Sequence, residues 1–225
     1  MDQRGKEIIL AQDVDLKSGE LLKHVAIAAK AIRDGYLIAI PLEHHYAFAC
    51  DAFKADSVRA MHVLRRDELG IAAQVLIPDA KTANGVAREI SPSVQALMKK
   101  FWPGLLSFNL RPQRGLTWDL GDAGALDQVS FRVPKSKFVR ELLKEIGPIA
   151  IGSAAFANQA PLRKMSDIMV LESALAAKFD AGLLKKGRLS TILEADDHGI
   201  TMLREGAISL DEIHAIAPEV STQLS

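Results

Sequence analysis

Residues 129–155, which read VSFRVPKSKFVRELLKEIGPIAIGSAA, contain the pattern that decides the fold. Residues 129–133, in which Val129, Phe131 and Val133 are apolar, predict a strand. Residues 136–146 place apolar side chains at three- and four-residue steps, and Gly147 follows them as it often follows a helix. Residues 148–151 predict a second strand, which runs into a short stretch of small side chains. A strand, a helix and a strand in this order indicate a sheet that helices cover.

The same alternation extends along the chain in both directions. Short apolar runs that turn residues close predict further strands at residues 8–10, 36–40, 46–50, 75–77, 106–110, 181–184, 190–193 and 200–203. Apolar residues at helical steps predict helices at residues 20–32, 56–64, 91–101, 167–179 and from 209 onward. Ser18, Ser91 and either Asp56 or Ser57 are the predicted N-caps. The fold class is α/β or α+β, and the pattern leaves open whether the sheet is doubly wound or mixed.

The composition excludes several classes of protein. The chain has 225 residues, which suits one large domain, and its 28 Lys and Arg balance its 28 Asp and Glu. This balance argues against a general polyanion binder, although a local basic patch stays open. Cys50 is the single cysteine, so no internal disulfide forms. Residues 1–20 are polar and charged rather than a signal region, and no apolar stretch has the length of a membrane helix, so we expect a cytoplasmic protein.

Glu43, His44 and His45 form the most conspicuous polar cluster. Adjacent residues of a strand face opposite sides, so the two histidines do not readily bind one metal ion. We therefore predict pocket or surface histidines and no metal site formed by protein side chains. The sequence contains no G-x-G-x-x-G, G-x-x-x-x-G-K-[ST], H-E-x-x-H or G-x-S-x-G motif, which excludes the commonest nucleotide, zinc-protease and hydrolase signatures.

Arg65 and Arg66 end a predicted helix, and two interpretations of them stay open. They complement the helix dipole at a solvated C-terminus, or their guanidinium groups clamp phosphate oxygens. Ser153 lies among residues with almost no side chain, which either let a ligand approach the backbone or allow tight packing.

Hydroxyl groups near the C-terminal end of the chain are further candidates. Ser190 and Thr191 could donate hydrogen bonds to a phosphate or cap a strand turn. Arg204 precedes Glu205, and a surface arginine beside a charged neighbour is the alternative to a ligand contact.

Four segments, taken in order, resemble the YrdC-like family. They are residues 101–107 (FWPGLLS), 132–134 (RVP), 190–192 (STI) and 203–208 (LREGAI), which are similar to the family's WPG-x-x-T, RVP, STV and LR-x-GAI segments. The resemblance spans about residues 21–208. We therefore predict a YrdC-like domain over these residues, an N-terminal extension at residues 1–20, and a C-terminal helix and tail at residues 209–225.

The resemblance implies a fold and an activity. The family fold is a twisted mixed sheet flanked by helices around a large concave groove. Its enzymes join L-threonine, bicarbonate and ATP into threonylcarbamoyl-AMP (L-threonylcarbamoyladenylate) and release pyrophosphate, and the product serves the threonylcarbamoyl modification of adenosine in tRNA. The implied ligands are ATP with Mg²⁺ and the small-molecule substrates. RNA or tRNA is a further implied partner, because some members were first described as binding double-stranded RNA.

The resemblance also assigns roles to individual residues. Residues implied to bind the nucleotide and its phosphates are Arg65, Arg66, Ser153, Ser190, Thr191 and Arg204. Residues implied to line the substrate pocket are His44, Tyr46, Ser107 and Arg132.

Three segments depart from the family pattern. The family's PTDTVYGL segment appears as PLEHHYAF at residues 41–48, and its SAN segment as SAA at residues 153–155. Its K-x-R motif falls on residues 65–67, where Asp67 takes the position of the second cation and would repel phosphate, unless Arg66 shifts into that position. Three hypotheses follow: a threonylcarbamoyl-AMP synthase, a non-catalytic paralogue that binds a nucleotide, double-stranded RNA or a protein, and a different enzyme that uses His44 as an acid or base.

Overall fold

The computed structural model describes residues 11–125 and 127–223, without the side chain of Glu172. These residues form one sheet of eleven strands. The strands are β1 (Gln12–Asp15), β2 (Ile38–Pro41), β3 (Tyr46–Asp51), β4 (Gln74–Leu76), β5 (Leu106–Leu110), β6 (Val129–Arg132), β7 (Ile149–Ser153), β8 (Ala177–Asp180), β9 (Thr191–Asp196), β10 (Gly199–Arg204) and β11 (Ser221–Thr222).

The sheet mixes parallel and antiparallel pairs. The strand order is β1-β8-β2-β3-β7-β4-β6-β5-β9-β10-β11. Parallel pairs are β1/β8, β2/β8, β4/β6, β5/β9 and β10/β11. Antiparallel pairs are β2/β3, β3/β7, β4/β7, β5/β6 and β9/β10. The predicted α/β class is confirmed, and of the two open alternatives the mixed sheet is the correct one.

Helices flank this sheet. Within the described residues they are α1 (Leu21–Arg33), α2 (Ala55–Arg65), α3 (Ala80–Val86), α4 (Pro92–Phe101), α5 (Lys137–Ile146) and α6 (Leu210–His214). Helix α5 illustrates how the sequence specifies them. Its buried side chains, Phe138, Val139, Leu142 and Leu143, recur at three- and four-residue steps, and the Ser136 hydroxyl accepts the Val139 N–H at its start. Burial of each large apolar side chain contributes about 1.5–3 kcal/mol.

One face of the sheet is divided into an apolar half and a polar half. On β2, β3 and β7 most side chains of this face are apolar, and they form a core with α1 and α5, as Ile38 and Ile151 do. Gln74 on β4 pairs with Ile151, so it lies on the same face. The face continues through Ser130 on β6 to Asn109 on β5, which pair with each other. The apolar pattern therefore stops at β4, and polar side chains follow on the next strands.

The opposite face of the sheet is apolar over the same strands. Val75 on β4, Phe131 on β6 and Phe108 on β5 are fully buried there. They belong to a second core, to which α2 contributes Met61 and α4 contributes Leu97. Along β4, β6 and β5, successive side chains point to opposite faces. The apolar residues therefore lie in the second core, and the polar residues lie on the polar half of the other face.

The predicted helix at residues 167–179 and the predicted strand at residues 181–184 are wrong. Residues 165–167 and 172–174 form single turns of 3₁₀ helix, and β8 follows. Along β8, Ala177 and Phe179 are buried while Lys178 alternates with them, and β8 lies between β1 and β2. Pairing on both sides overrides the helix propensity of the alanines. The chain then turns at Gly182, whose φ is 80°, instead of extending.

Several predicted helix ends are also corrected. Glu20 rather than Ser18 precedes α1, and Lys54 rather than Asp56 or Ser57 precedes α2. Ser57 instead donates its hydroxyl hydrogen to the Gly35 carbonyl oxygen at 2.7 Å. The N-cap role of Ser91 is confirmed. Helix α3, which Asp79 caps, was not predicted.

Both ends of the described chain join the same sheet. Strand β1 lies within the predicted N-terminal extension, and β11 lies within the predicted C-terminal tail. The division at residues 20 and 208 stays a prediction. The strand predicted at residues 8–10 lies outside the described residues. No helix in the described part of the chain is long and apolar enough to cross a membrane.

Candidate functional site

A cavity of about 400 Å³ lies over the polar half of the divided sheet face. Strands β4, β6 and β5 supply its floor, and the chain on either side of β9 and β10 supplies one wall. The polar or charged residues that line it are His44, His45, Gln74, Asn109, Ser130, Arg132, Ser153, Arg188, Ser190 and Arg204. We call this space the polar cavity.

The floor of the polar cavity is a row of hydrogen-bonded side chains. The Gln74 amide nitrogen donates to the hydroxyl oxygens of Ser107, at 3.0 Å, and of Ser130, at 3.1 Å. Ser107 in turn donates to Ser190 Oγ at 3.2 Å. The row ties four separate segments together, so these hydroxyls are positioned before any ligand arrives.

Arg132 and Glu43 form a buried ion pair beside this floor. Arg132 Nη1 lies 2.9 Å from each Glu43 carboxylate oxygen, and the Lys135 backbone N–H donates to Glu43 Oε1 at 2.7 Å. The Arg132 side chain is 2% exposed and that of Glu43 is 9% exposed. Burial alone would raise the pKa of Glu43, but the charge and hydrogen bonds of Arg132 and Lys135 outweigh burial and hold that pKa below its ordinary value. The pair is therefore ionised at neutral pH.

Three buried polar atoms at the polar cavity have no hydrogen-bond partner among the described residues. They are Asn109 Oδ1, Ser153 Oγ and Arg132 Nε. Each such atom costs about 1–3 kcal/mol when it is buried without a partner. One acceptor, one donor and one hydroxyl group, which can do both, fit a polar ligand or ordered water that would complete them.

The two adjacent histidines both reach the polar cavity. His44 Nδ1 lies 3.0 Å from the Lys185 carbonyl oxygen, so a neutral ring carries its proton on Nδ1 and leaves Nε2 as an acceptor. A Cβ atom at position 187 would overlap this ring, so a larger residue there would require the His44 side chain to move. Burial and the nearby charge of Arg132 lower the pKa of His45 to about 4, so His45 is uncharged at neutral pH.

Two arginines supply positive charge on the wall of the polar cavity. Arg204 donates from Nε and Nη2 to the Ser190 carbonyl oxygen at 3.1 and 2.9 Å, and within residues 11–125 and 127–223 it pairs with no carboxylate. Partial burial lowers its pKa, although an arginine stays charged in a protein. Arg188 lies 3.4 Å from Glu205, and its side chain is exposed. An anionic group would find its strongest attraction at Arg204.

The described residues offer no cluster of three or more His, Cys, Asp and Glu side chains that could hold a metal ion.

Residues 30–206 match the family model of the Sua5, YciO and YrdC proteins, whose description reads "Telomere recombination". The chain belongs to the Sua5/YciO/YrdC family. The resemblance that the four sequence segments indicated is thereby confirmed.

Relatives of this family member are known from sequence and from structure. A protein of Mycobacterium tuberculosis H37Rv named putative threonylcarbamoyl-AMP synthase is 30% identical over 190 residues, which cover 84% of this chain and 87% of that protein. Pyrococcus abyssi Sua5 in complex with L-threonine superposes with a TM-score of 0.83 at 24% identity, over 95% of this chain and 62% of Sua5. Escherichia coli YciO superposes with a TM-score of 0.76 at 18% identity, over 90% of this chain and 98% of YciO. The two structural likenesses show the fold, and the chain spans less than two thirds of the length of P. abyssi Sua5.

The structure brings five of the ten predicted site residues of this Sua5/YciO/YrdC protein together at the polar cavity. These residues are His44, Arg132, Ser153, Ser190 and Arg204. Ser107 lies directly beneath them and is fully buried. Their roles in binding stay predictions.

Arg65 and Arg66 contact protein groups instead of lining the polar cavity. Arg65 makes a two-pronged pair with Asp67, with Nε–Oδ2 at 2.8 Å and Nη2–Oδ1 at 3.0 Å, and its Nη1 donates to the carbonyl oxygens of Ser153 and Ala155. Arg66 ends α2 with a φ of 59°, and its guanidinium carbon lies 4.3 Å from the centre of the Phe156 ring. The predicted phosphate clamp stays a prediction.

Tyr46 and Thr191 place their hydroxyl groups in internal hydrogen bonds. Tyr46 is fully buried, and its hydroxyl lies 2.8 Å from Asp180 Oδ1 and 2.7 Å from the Gly182 carbonyl oxygen. Thr191 Oγ1 donates to the Ile208 carbonyl oxygen at 2.6 Å and accepts the N–H groups of Gly206 and Ile208, each at 3.0 Å. Neither residue lines the polar cavity.

Sequence reasoning missed Gln74, Asn109, Ser130 and Arg188, which line the polar cavity. The first three are polar residues inside otherwise apolar strands, which is the available signal, because such a residue must find a polar environment. Which face they occupy depends on strand pairing.

Proposed function

We propose that the polar cavity binds an adenine nucleotide and L-threonine, and that the chain makes threonylcarbamoyl-AMP. One observation carries this proposal: the polar cavity holds buried polar atoms without a partner, and an arginine, Arg204, without a carboxylate, among the residues that the structure describes, and it lies in a chain whose relatives bear the name threonylcarbamoyl-AMP synthase. The sequence relative from M. tuberculosis aligns over most of both chains.

The reaction divides into two steps. The threonine amine and bicarbonate combine to a carbamate and release water. A carbamate oxygen then attacks the α-phosphorus of ATP, and the bond to pyrophosphate breaks. Arg204 and Arg188 would stabilise the negative charge that grows on the phosphate. Mg²⁺ that arrives with ATP would neutralise part of the phosphate charge.

Other residues of the polar cavity would position the substrates. His44 Nε2 can accept a hydrogen bond from a threonine ammonium or hydroxyl group, because Nδ1 already donates to Lys185. The Ser153 and Ser190 hydroxyls can donate to phosphate or carboxylate oxygens, and Ser190 is held in place by hydrogen bonds to Ser107 and Arg204. His45 is uncharged, so it would contribute a neutral hydrogen bond rather than a charge.

The proposal predicts pyrophosphate release from ATP that needs both threonine and bicarbonate. Purified protein with ATP and Mg²⁺ should release pyrophosphate at least tenfold faster when threonine is present, since the carbamate is the attacking group. Reactions without threonine, without bicarbonate, or with alanine in place of threonine are the controls. A rate that is independent of threonine would contradict the synthase.

A second candidate function is nucleotide binding without this condensation, and the Arg65–Asp67 pair favours it. With Arg65 paired internally, fewer cations face a triphosphate. Nucleotide binding by calorimetry together with no pyrophosphate release would support this candidate. Double-stranded RNA or a protein in the same groove stays an alternative; RNA binding would show a steep loss of affinity with salt.

A further inference from the structure

Asp67 is a nearly buried carboxylate that contacts two basic side chains. Its side chain is 4% exposed, and it accepts both prongs of the Arg65 guanidinium. His62 Nδ1 lies 2.8 Å from the same Oδ2 atom, and His62 Nε2 lies 2.8 Å from the Leu120 carbonyl oxygen. The fork of two parallel N–H···O bonds is the geometry with which an arginine binds a carboxylate or a phosphate.

The Arg65–Asp67 pair lies directly behind the wall of the polar cavity. Arg65 donates to the carbonyl oxygen of Ser153, which lines the cavity. The charge of Arg65 also reaches His45, where it is one of the causes that lower the pKa. Arg65 is therefore close enough to act electrostatically on a bound anion, but Asp67 cancels its charge.

The remaining charges of the polar cavity are few. Glu43 neutralises Arg132, and His45 is uncharged. Arg188 faces Glu205 at 3.4 Å, which leaves Arg204 as the lining arginine without a carboxylate partner within the described part of the chain. One or two uncompensated positive charges at one end of the cavity match a single phosphate group better than a chain of three.

We propose that Asp67 acts as a counter-ion that neutralises the charge of Arg65. It thereby makes the polar cavity selective for ligands with one phosphate group, such as a nucleoside monophosphate or an acyl adenylate, over nucleoside triphosphates. This inference rests on the proposed nucleotide site. It assigns Asp67 a role in ligand specificity without contact to the ligand. A consequence is that the proposed threonylcarbamoyl-AMP synthase should bind its adenylate product more tightly than ATP.

The wild type and three variants separate the effect of this pair's charge from the effect of its packing. Asp67→Asn leaves one uncompensated positive charge on Arg65. The double variant Arg65→Gln with Asp67→Asn restores a neutral pair of similar size and hydrogen-bonding capacity. Asp56→Asn, an exposed carboxylate that pairs with Arg59 on α2, removes the same formal charge away from the cavity and is the matched control.

Calorimetric titration with AMP and with ATP and Mg²⁺ measures the selectivity. Wild-type protein is expected to bind AMP at least as tightly as ATP. Asp67→Asn is expected to bind ATP about tenfold more tightly, with a change of less than about threefold for AMP, because AMP carries no β- or γ-phosphate for the additional charge to attract. The double variant and Asp56→Asn should match the wild type.

Each outcome bears on the inference. If the wild type binds ATP tenfold more tightly than AMP, the selectivity is contradicted while the nucleotide site stands, and this comparison does not depend on whether Asp67→Asn folds. If Asp67→Asn folds and leaves the affinity for ATP unchanged, the counter-ion role is contradicted. If neither AMP nor ATP binds to the wild type or to any variant, both the proposed nucleotide site and the selectivity fall.

Discussion

Replacement of Glu43 by alanine is expected to lower the free energy of unfolding by about 3–5 kcal/mol, because it leaves the Arg132 guanidinium buried without its counter-ion. Arg132 is 2% exposed and cannot reach bulk water without a local rearrangement. The Lys135 backbone N–H would lose its acceptor as well. Urea denaturation of wild-type and Glu43→Ala protein at pH 7 measures the difference.

A matched control separates this effect from the loss of any carboxylate. Glu141 on α5 pairs with Lys144 at the surface, so Glu141→Ala should change the stability far less than Glu43→Ala does. A Glu43→Ala effect as small as that of the control would contradict the buried ion pair.

The pH dependence of this contribution has a definite sign. The pKa of Glu43 is lower in the folded protein than in the unfolded chain. Its contribution is therefore fully present above the unfolded carboxyl pKa of about 4.3, and it is lost as the pH falls through the lower folded value. Accordingly, the stability difference between wild type and Glu43→Ala should shrink in acid.

Replacement of Thr191 by valine is expected to lower the free energy of unfolding by about 2–4 kcal/mol, since two N–H groups and one carbonyl lose their partner in a buried place. Valine keeps the shape and the β-branched side chain that suit a strand. The lost bonds hold Gly206 and Ile208 against β9, and Arg204 directly precedes this segment.

Thr191→Ser is the control, because serine retains the hydroxyl and loses a methyl group. Beyond the apolar burial that the lost methyl group contributed, Thr191→Ser should lower the free energy of unfolding by about 1 kcal/mol or less. Thermal unfolding of the two variants and wild type measures the effects. Equal stabilities for the valine and serine variants would contradict the internal role of the hydroxyl.

The sequence predicted the elements in which local signals and tertiary pairing agree. The α5 helix has a serine cap and a regular apolar stripe, and strands β5 and β6 have apolar alternation and closing turns, so each was found. Residues 167–179 were mistaken for a helix, because a strand that lies between two others can tolerate alanines that alone favour a helix.

The candidate site was predictable only in part, because the direction in which a side chain points is set by the tertiary structure. The resemblance pointed to Arg204, Ser190 and Ser153, which do line the polar cavity. Sequence cannot tell which way a hydroxyl points, so Thr191 and the floor residue Ser107 were indistinguishable from ligand-facing serines. Asp67 was recognised as a charge reversal, but its pairing with Arg65 depends on the turn at Arg66 that ends α2.

Calorimetric titration of wild-type and Arg204→Ala protein with AMP, and with ATP and Mg²⁺, tests the central claim that the polar cavity is a nucleotide site. Arg59→Ala, an exposed arginine on α2, is the control. We predict saturable binding by the wild type and by Arg59→Ala, and a loss of at least about tenfold in affinity for Arg204→Ala. Binding that is unchanged in Arg204→Ala would contradict the claim.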